Sequence, residues 1–194
     1  MKTKSLLLIV CLIAGLTGLV NAQDKAKAMN EKNITWLGVD FSLAKFTLVT
    51  DDPAVIVGQY LKAINTLILA EPEKYNLRLY FNKTEVASDL DIVTERNAKI
   101  DPASIVVTDK FTVAPEEVQK VVKSYNTKGT GMGLVFIAEN LNKATQTGSY
   151  YVCFFDMATK EIVDIKLYTG KAAGFGFRNY WAGSVFNIMK TWKN

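Results

Sequence analysis

Chemistry in this chain has to come from acids, lysines, tyrosines and backbone amides, because the sequence contains no histidine. Ser-His-Asp and Cys-His nucleophilic systems, imidazole metal ligands and histidine pH switches are therefore excluded. Asp40, at the end of an apolar segment, and Asp156, at the end of another, are the acids most suggestive of a pair. Two carboxylates at strand ends can share a crevice, hold a divalent cation or exchange protons with a substrate. The competing reading is ordinary, since an acid at a strand end commonly makes a turn or caps a helix.

Two glycine-rich stretches raise a second possibility. Gly129–Gly133 (GTGMG) lies between a predicted helix and a predicted strand, the reverse of the order that aims amides and a helix dipole at a phosphate. Gly170–Gly176 (GKAAGFG) has the correct order, strand then helix, with Lys171, Arg178, Asn179 and Tyr180 close by. It lacks the Ser or Thr after lysine and the spacing of either nucleotide-binding pattern, so it implies a small-anion or glycan contact or simply a tight turn. Asn33-Ile34-Thr35 and Asn82-Lys83-Thr84 match the glycosylation triplet, a common chance pattern. No cofactor or metal motif is present.

The elements that must position these residues follow from periodicity. Asn33 aside, Ile34–Phe41 (ITWLGVDF) reads as a first strand. Asp52-Pro53 opens a helix over 53–70, with Val57, Leu61, Ile64 and Ile68 on one stripe. A short helix is expected near 75–81, a weak strand near 90–94 and a short strand over 104–108. Pro115-Glu116-Glu117 opens a helix carrying Val118, Val121, Val122 and Tyr125. Continuous apolar runs at 134–138 and 150–155 predict strands covered on both faces. Val163, Ile165 and Leu167 alternate with polar neighbours, predicting a strand hairpinned to the run before it. A closing helix places Phe177, Trp181, Val185, Ile188 and Trp192 on its core stripe, leaving Tyr180 and Phe186 as aromatic contact candidates. The fold expected is α/β or α+β, one domain over 34–194, with a mixed sheet, a C-terminal antiparallel hairpin and packed helices.

The first 22 residues read as a secretory signal: Lys2 and Lys4, an apolar run too short to span a bilayer, then Val20-Asn21-Ala22. Residues 23–33 read as a flexible leader. Export implies a periplasmic or secreted protein with no transmembrane helix after cleavage. Cleavage removes both signal lysines and halves the formal net charge of +4, leaving no footprint for nucleic acid. It also removes Cys11, so Cys153 has no partner for an internal disulfide and is expected to be a small buried hydrophobe.

The segments VNAQ, ITWLGVDFS and GKAAGFGFRNYWAGSVFN resemble small exported proteins of Bacteroidetes-type bacteria, a group without a motif of chemical role. In architecture alone, the strand–helix start and late hairpin are similar to the N-terminal domains of TolB-type and CsgG-type envelope proteins. That similarity implies an assembly or scaffold role without catalysis and an unknown protein partner in the envelope. Three readings therefore stand: a non-catalytic binding module, a carboxylate-dependent or metal-assisted hydrolase using Asp40 and Asp156, and a binder at the Gly170–Asn179 turn.

Overall fold

The computed structural model describes residue 26 and residues 30–193. The signal sequence, Cys11 and most of the leader lie outside the described residues. The fold is α/β, with helices on both faces of a seven-stranded mixed sheet.

At the centre of the sheet is β5 (Met132–Asn142). Along one side it pairs in parallel with two successive strands, β1 (Asn33–Asp40) and β2 (Lys45–Thr47). These lie nearly end to end, separated by a tight turn in which Ala44 N donates to Phe41 O. Outside them lie β3 (Glu85–Ser88), parallel to β1, and β4 (Val106–Val107), parallel to β2. The other side of β5 continues antiparallel into β6 (Thr147–Asp156) and then β7 (Ile162–Lys171). The hairpin expected between the last two strands is present, with Tyr150 opposite Tyr168.

Helix α1 spans Pro53–Ala70 and contains one π-helical turn, Ile56–Tyr60. The side chain of Asp52 caps it by accepting from Ala54 N, and Pro53 occupies the first turn, where a missing N–H costs nothing. With α2 (Leu77–Tyr80) and the closing α6 (Gly176–Lys193), it covers one sheet face. Trp36, Phe46, Phe136, Tyr150, Phe154 and Trp181 fill the space between them. The opposite face is covered by α3 (Asp91–Asn97) and α5 (Pro115–Lys123), over Leu37, Val135, Ile137, Cys153 and Phe155. Continuous burial along β5 and β6 follows from this double cover. Cys153 is buried there, and desolvation pushes its thiol well above the ordinary range.

Two local expectations fail. The weak strand expected near 90–94 is α3, because Asp89 bonds Asp91 N at its start and Val93 and Asn97 both turn inward at helical spacing. The strand expected over 104–108 is reduced to Val106–Val107. Asp101 and Pro102 start a helical turn first, α4 (Pro102–Ile105), with Asp101 accepting from Ala103 N.

Candidate functional site

Asp40 is the last residue of β1 and is fully buried. Its Oδ1 accepts from Ser42 N at 2.7 Å, while Oδ2 accepts from Arg96 Nε at 2.9 Å and Tyr125 OH at 2.8 Å. The Arg96 guanidinium also donates to Ser124 Oγ and Ser42 Oγ, both at 3.0 Å, and its carbon lies 5.4 Å from the centre of the Tyr125 ring. Burial, and then the negative charge of Asp40, hold the Tyr125 phenol well above its ordinary pKa.

This node forms because β1 outruns β3. The register ends at Trp36 opposite Ser88, so the outward backbone groups of Val39 and Phe41 need other partners. Two buried asparagines supply them. Asn65 from α1 accepts from Val39 N at 2.6 Å and donates to Val39 O at 2.9 Å. Asn97 from α3 donates to Val39 O at 3.0 Å and accepts from Phe41 N at 2.7 Å. At Gly38 the backbone has φ +101°, and a Cβ would come within 2.7 Å of Asn65 Oδ1, so glycine is required. A general base needs a lone pair within reach of substrate. The Asp40 carboxylate is instead sealed and engaged on both oxygens, which makes the node structural.

Asp156 makes a turn. Its Oδ1 accepts from Ala158 N and Thr159 N, both at 2.9 Å. Asp40 lies opposite Ile137 on β5, whereas Asp156 lies opposite Met132 on the other side of that strand. Five residues of rise and two strand spacings separate the acids by on the order of 20 Å. The shared crevice expected for Asp40 and Asp156 does not exist. No group of three or more acids or cysteines suited to a metal ion occurs among the described residues.

The Gly170–Asn179 segment is a packed turn followed by a helix. A Cβ at Gly170 would lie 2.1 Å from Ser184 O, so the glycine lets β7 meet α6. Lys171 is exposed, and its carbonyl accepts from Asn187 Nδ2 at 2.7 Å. The exposed Arg178 directs its Nε to Asn179 Oδ1 at 3.2 Å, one residue away. Lys171, Arg178 and Asn179 line neither of the two grooves nearest this turn. Tyr180 does line a groove, with the Lys143 ammonium 3.9 Å from its ring centre and its hydroxyl buried without a partner among the described residues. Tyr180 and Phe186, the expected exposed aromatics, are half-buried: Tyr180 packs edge-on against Trp181, and Phe186 against Tyr75 and Tyr80.

The accessible feature lies where β2, β4 and β5 end, the side of a parallel sheet on which ligands commonly sit. A groove of about 670 Å³ runs between Leu48–Thr50 and Val106–Phe111. A second, of about 210 Å³, lies between Val49–Asp51, Lys143 and the start of α6, so Val49 and Thr50 form a shared wall. Leu48 borders the first groove at 50% exposure, with φ +55°. Phe175 borders the second at 95% exposure, between Gly174 (φ +131°) and Gly176 (φ +75°). Isolated exposed leucines are commonplace. Two large apolar side chains on tight loops beside adjoining grooves are a more specific arrangement.

No protein-family model matches the chain, and neither a curated protein nor a solved structure matches it.

Leu48, Lys143 and the Arg96–Tyr125 partners of Asp40 were not among the sequence-derived candidates. The Gly-Phe-Gly triplet was the available signal for the groove, since flanking glycines remove the neighbours that would cover the ring. Nothing local signals Leu48, because only the direction of β2 places it beside the Val106–Phe111 segment.

Proposed function

We propose that this chain is an exported, non-catalytic binding or scaffold module of the bacterial envelope, periplasmic or secreted, that engages a protein partner at the sheet end carrying Phe175 and Leu48. The observation that carries this reading is Phe175, an almost fully exposed phenylalanine presented on a tight Gly-Phe-Gly loop. Aromatic anchors surrounded by shallow grooves are the groups on which protein contacts concentrate their energy. The engaged state of Asp40 and the distance to Asp156 weigh against the hydrolytic alternative. The apolar, open character of the site favours a protein surface over a small anion. The signal-like N-terminus and the likeness to exported proteins support the location.

The test is site-specific photocrosslinking in the producing bacterium, with a photoreactive residue at position 175 and, as control, at the exposed Leu79 on α2. A discrete adduct from position 175, lost with Leu48→Ser and absent from position 79, is the expected result. No adduct at 175, or the same adducts from both positions, would refute the proposal.

A further inference from the structure

We propose that the outer edge of β7 accepts an extended, acidic segment of a partner protein as an added strand, paired with the run from Ile165 to Thr169. β7 is ten residues long and bonded to β6 alone. The opposite margin of the sheet offers no comparable edge, being divided between the four-residue β3 and the two-residue β4. An unpaired edge is a template for main-chain pairing, and strand addition is a recurring mode of peptide recognition.

Hydrogen bonds at the ends of the hairpin fix which backbone groups face outward. Asp156 N donates to Glu161 O at one end, and Ala172 N to Gln146 O at the other. Antiparallel pairing alternates, so Asp164, Lys166, Tyr168 and Gly170 bond to β6. Ile165, Leu167 and Thr169 turn their N–H and C=O groups off the sheet. Beyond them Asn187 takes the carbonyl of Lys171, and on the near side the bulge at Val163 interrupts the ladder. The run from Ile165 to Thr169 is the open edge.

The side chains along this run select the occupant. Ile165 packs on the α5 side of the sheet and Tyr168 on the α6 side, so alternation sets Leu167 with the first and Lys166 with the second. Leu167 is 41% exposed, Lys166 is exposed with its ammonium 5.0 Å from the Tyr168 ring centre, and the exposed Lys171 stands just past the run. Asp164, the one acid of β7, is engaged within the chain. The edge is therefore cationic. An incoming strand gains from carboxylates on the Lys166 side and from an apolar residue opposite Leu167. A second copy fits less well. Antiparallel pairing about Lys166 sets two ammonium groups face to face, pairing about Leu167 sets them diagonally, and pairing about Ile165 lays the open run on the bulged segment. Edge lysine here deters copies of the chain and admits an acidic strand.

The test is amide hydrogen exchange, followed residue by residue by NMR on the exported chain, with and without a capped octapeptide alternating valine with glutamate. Alternation serves a strand of either direction. At millimolar peptide, exchange at Ile165, Leu167 and Thr169 should slow several-fold, and the matching valine–lysine peptide should have no effect. Lys166→Glu should weaken the acidic peptide roughly tenfold or more and admit the lysine peptide, because the cross-strand charges reverse. Leu167→Pro should abolish binding, since an outward N–H is lost while the bonds to β6 remain. Unchanged thermal melting keeps misfolding out of the comparison, and the charge reversal stands without the proline. No slowing at the three amides, equal slowing by both peptides, or an acidic peptide indifferent to Lys166→Glu would each overturn the proposal. So would slowing that follows protein concentration alone, the mark of a second copy. Phe175 and Leu48 lie outside the run, so the crosslinking result at position 175 and this one stand or fall separately.

Discussion

The Asp40 node and the Phe175 end of the sheet invert the usual relation between residue type and environment. At the node, charged and polar groups are buried and every carboxylate oxygen has a donor. At the sheet end, a phenylalanine and a leucine stand in solvent beside two grooves. The first arrangement fastens α1, α3 and the turn after α5 to a strand that has lost its neighbour. The second contributes little to folding and remains available for contact. Residue type alone points to the wrong region, because an acid suggests chemistry and a phenylalanine suggests core.

Substitutions can break this contrast, beginning with the largest effect. Arg96→Ala leaves the Asp40 carboxylate buried without its cation. About 3 kcal/mol of stability should be lost, the lower end for a broken buried pair because the guanidinium is partly solvated. That corresponds to a fall in melting temperature of roughly 10 °C, read by calorimetry. A change under a degree or two would mean that the pair does not hold the node together. Asn97→Ala removes the partners of Val39 O and Phe41 N, and about 2 kcal/mol should be lost in urea unfolding. Stability as intact as wild type would show that water replaces the amide.

Tyr125→Phe sharpens the comparison through pH. Burial first, and then Asp40, raise the Tyr125 pKa in the folded state, so its contribution is fully present below the unfolded value of about 10. Above that pH the unfolded chain releases a proton that the native state keeps. Stability therefore falls as pH rises toward the folded pKa, by up to about 1.4 kcal/mol per pH unit for this group. The phenylalanine variant should be weakened by about 2 kcal/mol at neutral pH and show a shallower alkaline decline. Tyr150, also raised by burial, keeps some slope in the variant. An unchanged slope would place the Tyr125 hydroxyl outside the buried node. The smallest stability effect belongs to Phe175→Ser, within about 0.5 kcal/mol of wild type in urea unfolding. A large loss of stability would make Phe175 a core residue and dissolve the contrast.

Periodicity made much of the architecture readable. The stripe of Leu61, Ile64 and Ile68, the runs at 134–138 and 150–155, and the alternation through Val163, Ile165 and Leu167 each place their element correctly. The region between Tyr75 and Thr108 was less readable. Its elements are short, and α3 is shaped by the need to complete the outward side of β1, which no local pattern expresses. The candidate site was read only in part. Tyr180 lines a groove, but Asp40, Asp156, Lys171, Arg178 and Asn179 are distributed among a buried node, a turn and an exposed helix start.

The amino-acid sequence by itself determined which of the long segments are helical or extended, which of their faces are apolar, and that imidazole chemistry is impossible, because these depend on composition and on spacing within one element. Only the tertiary structure decided that Asp40 meets Arg96 and Tyr125, 56 and 85 residues further along the chain. It likewise brought Leu48 and Phe175 to the same end of the sheet. Both outcomes depend on parallel strand order and on where β3 stops, and these arise from long-range packing rather than from neighbouring residues.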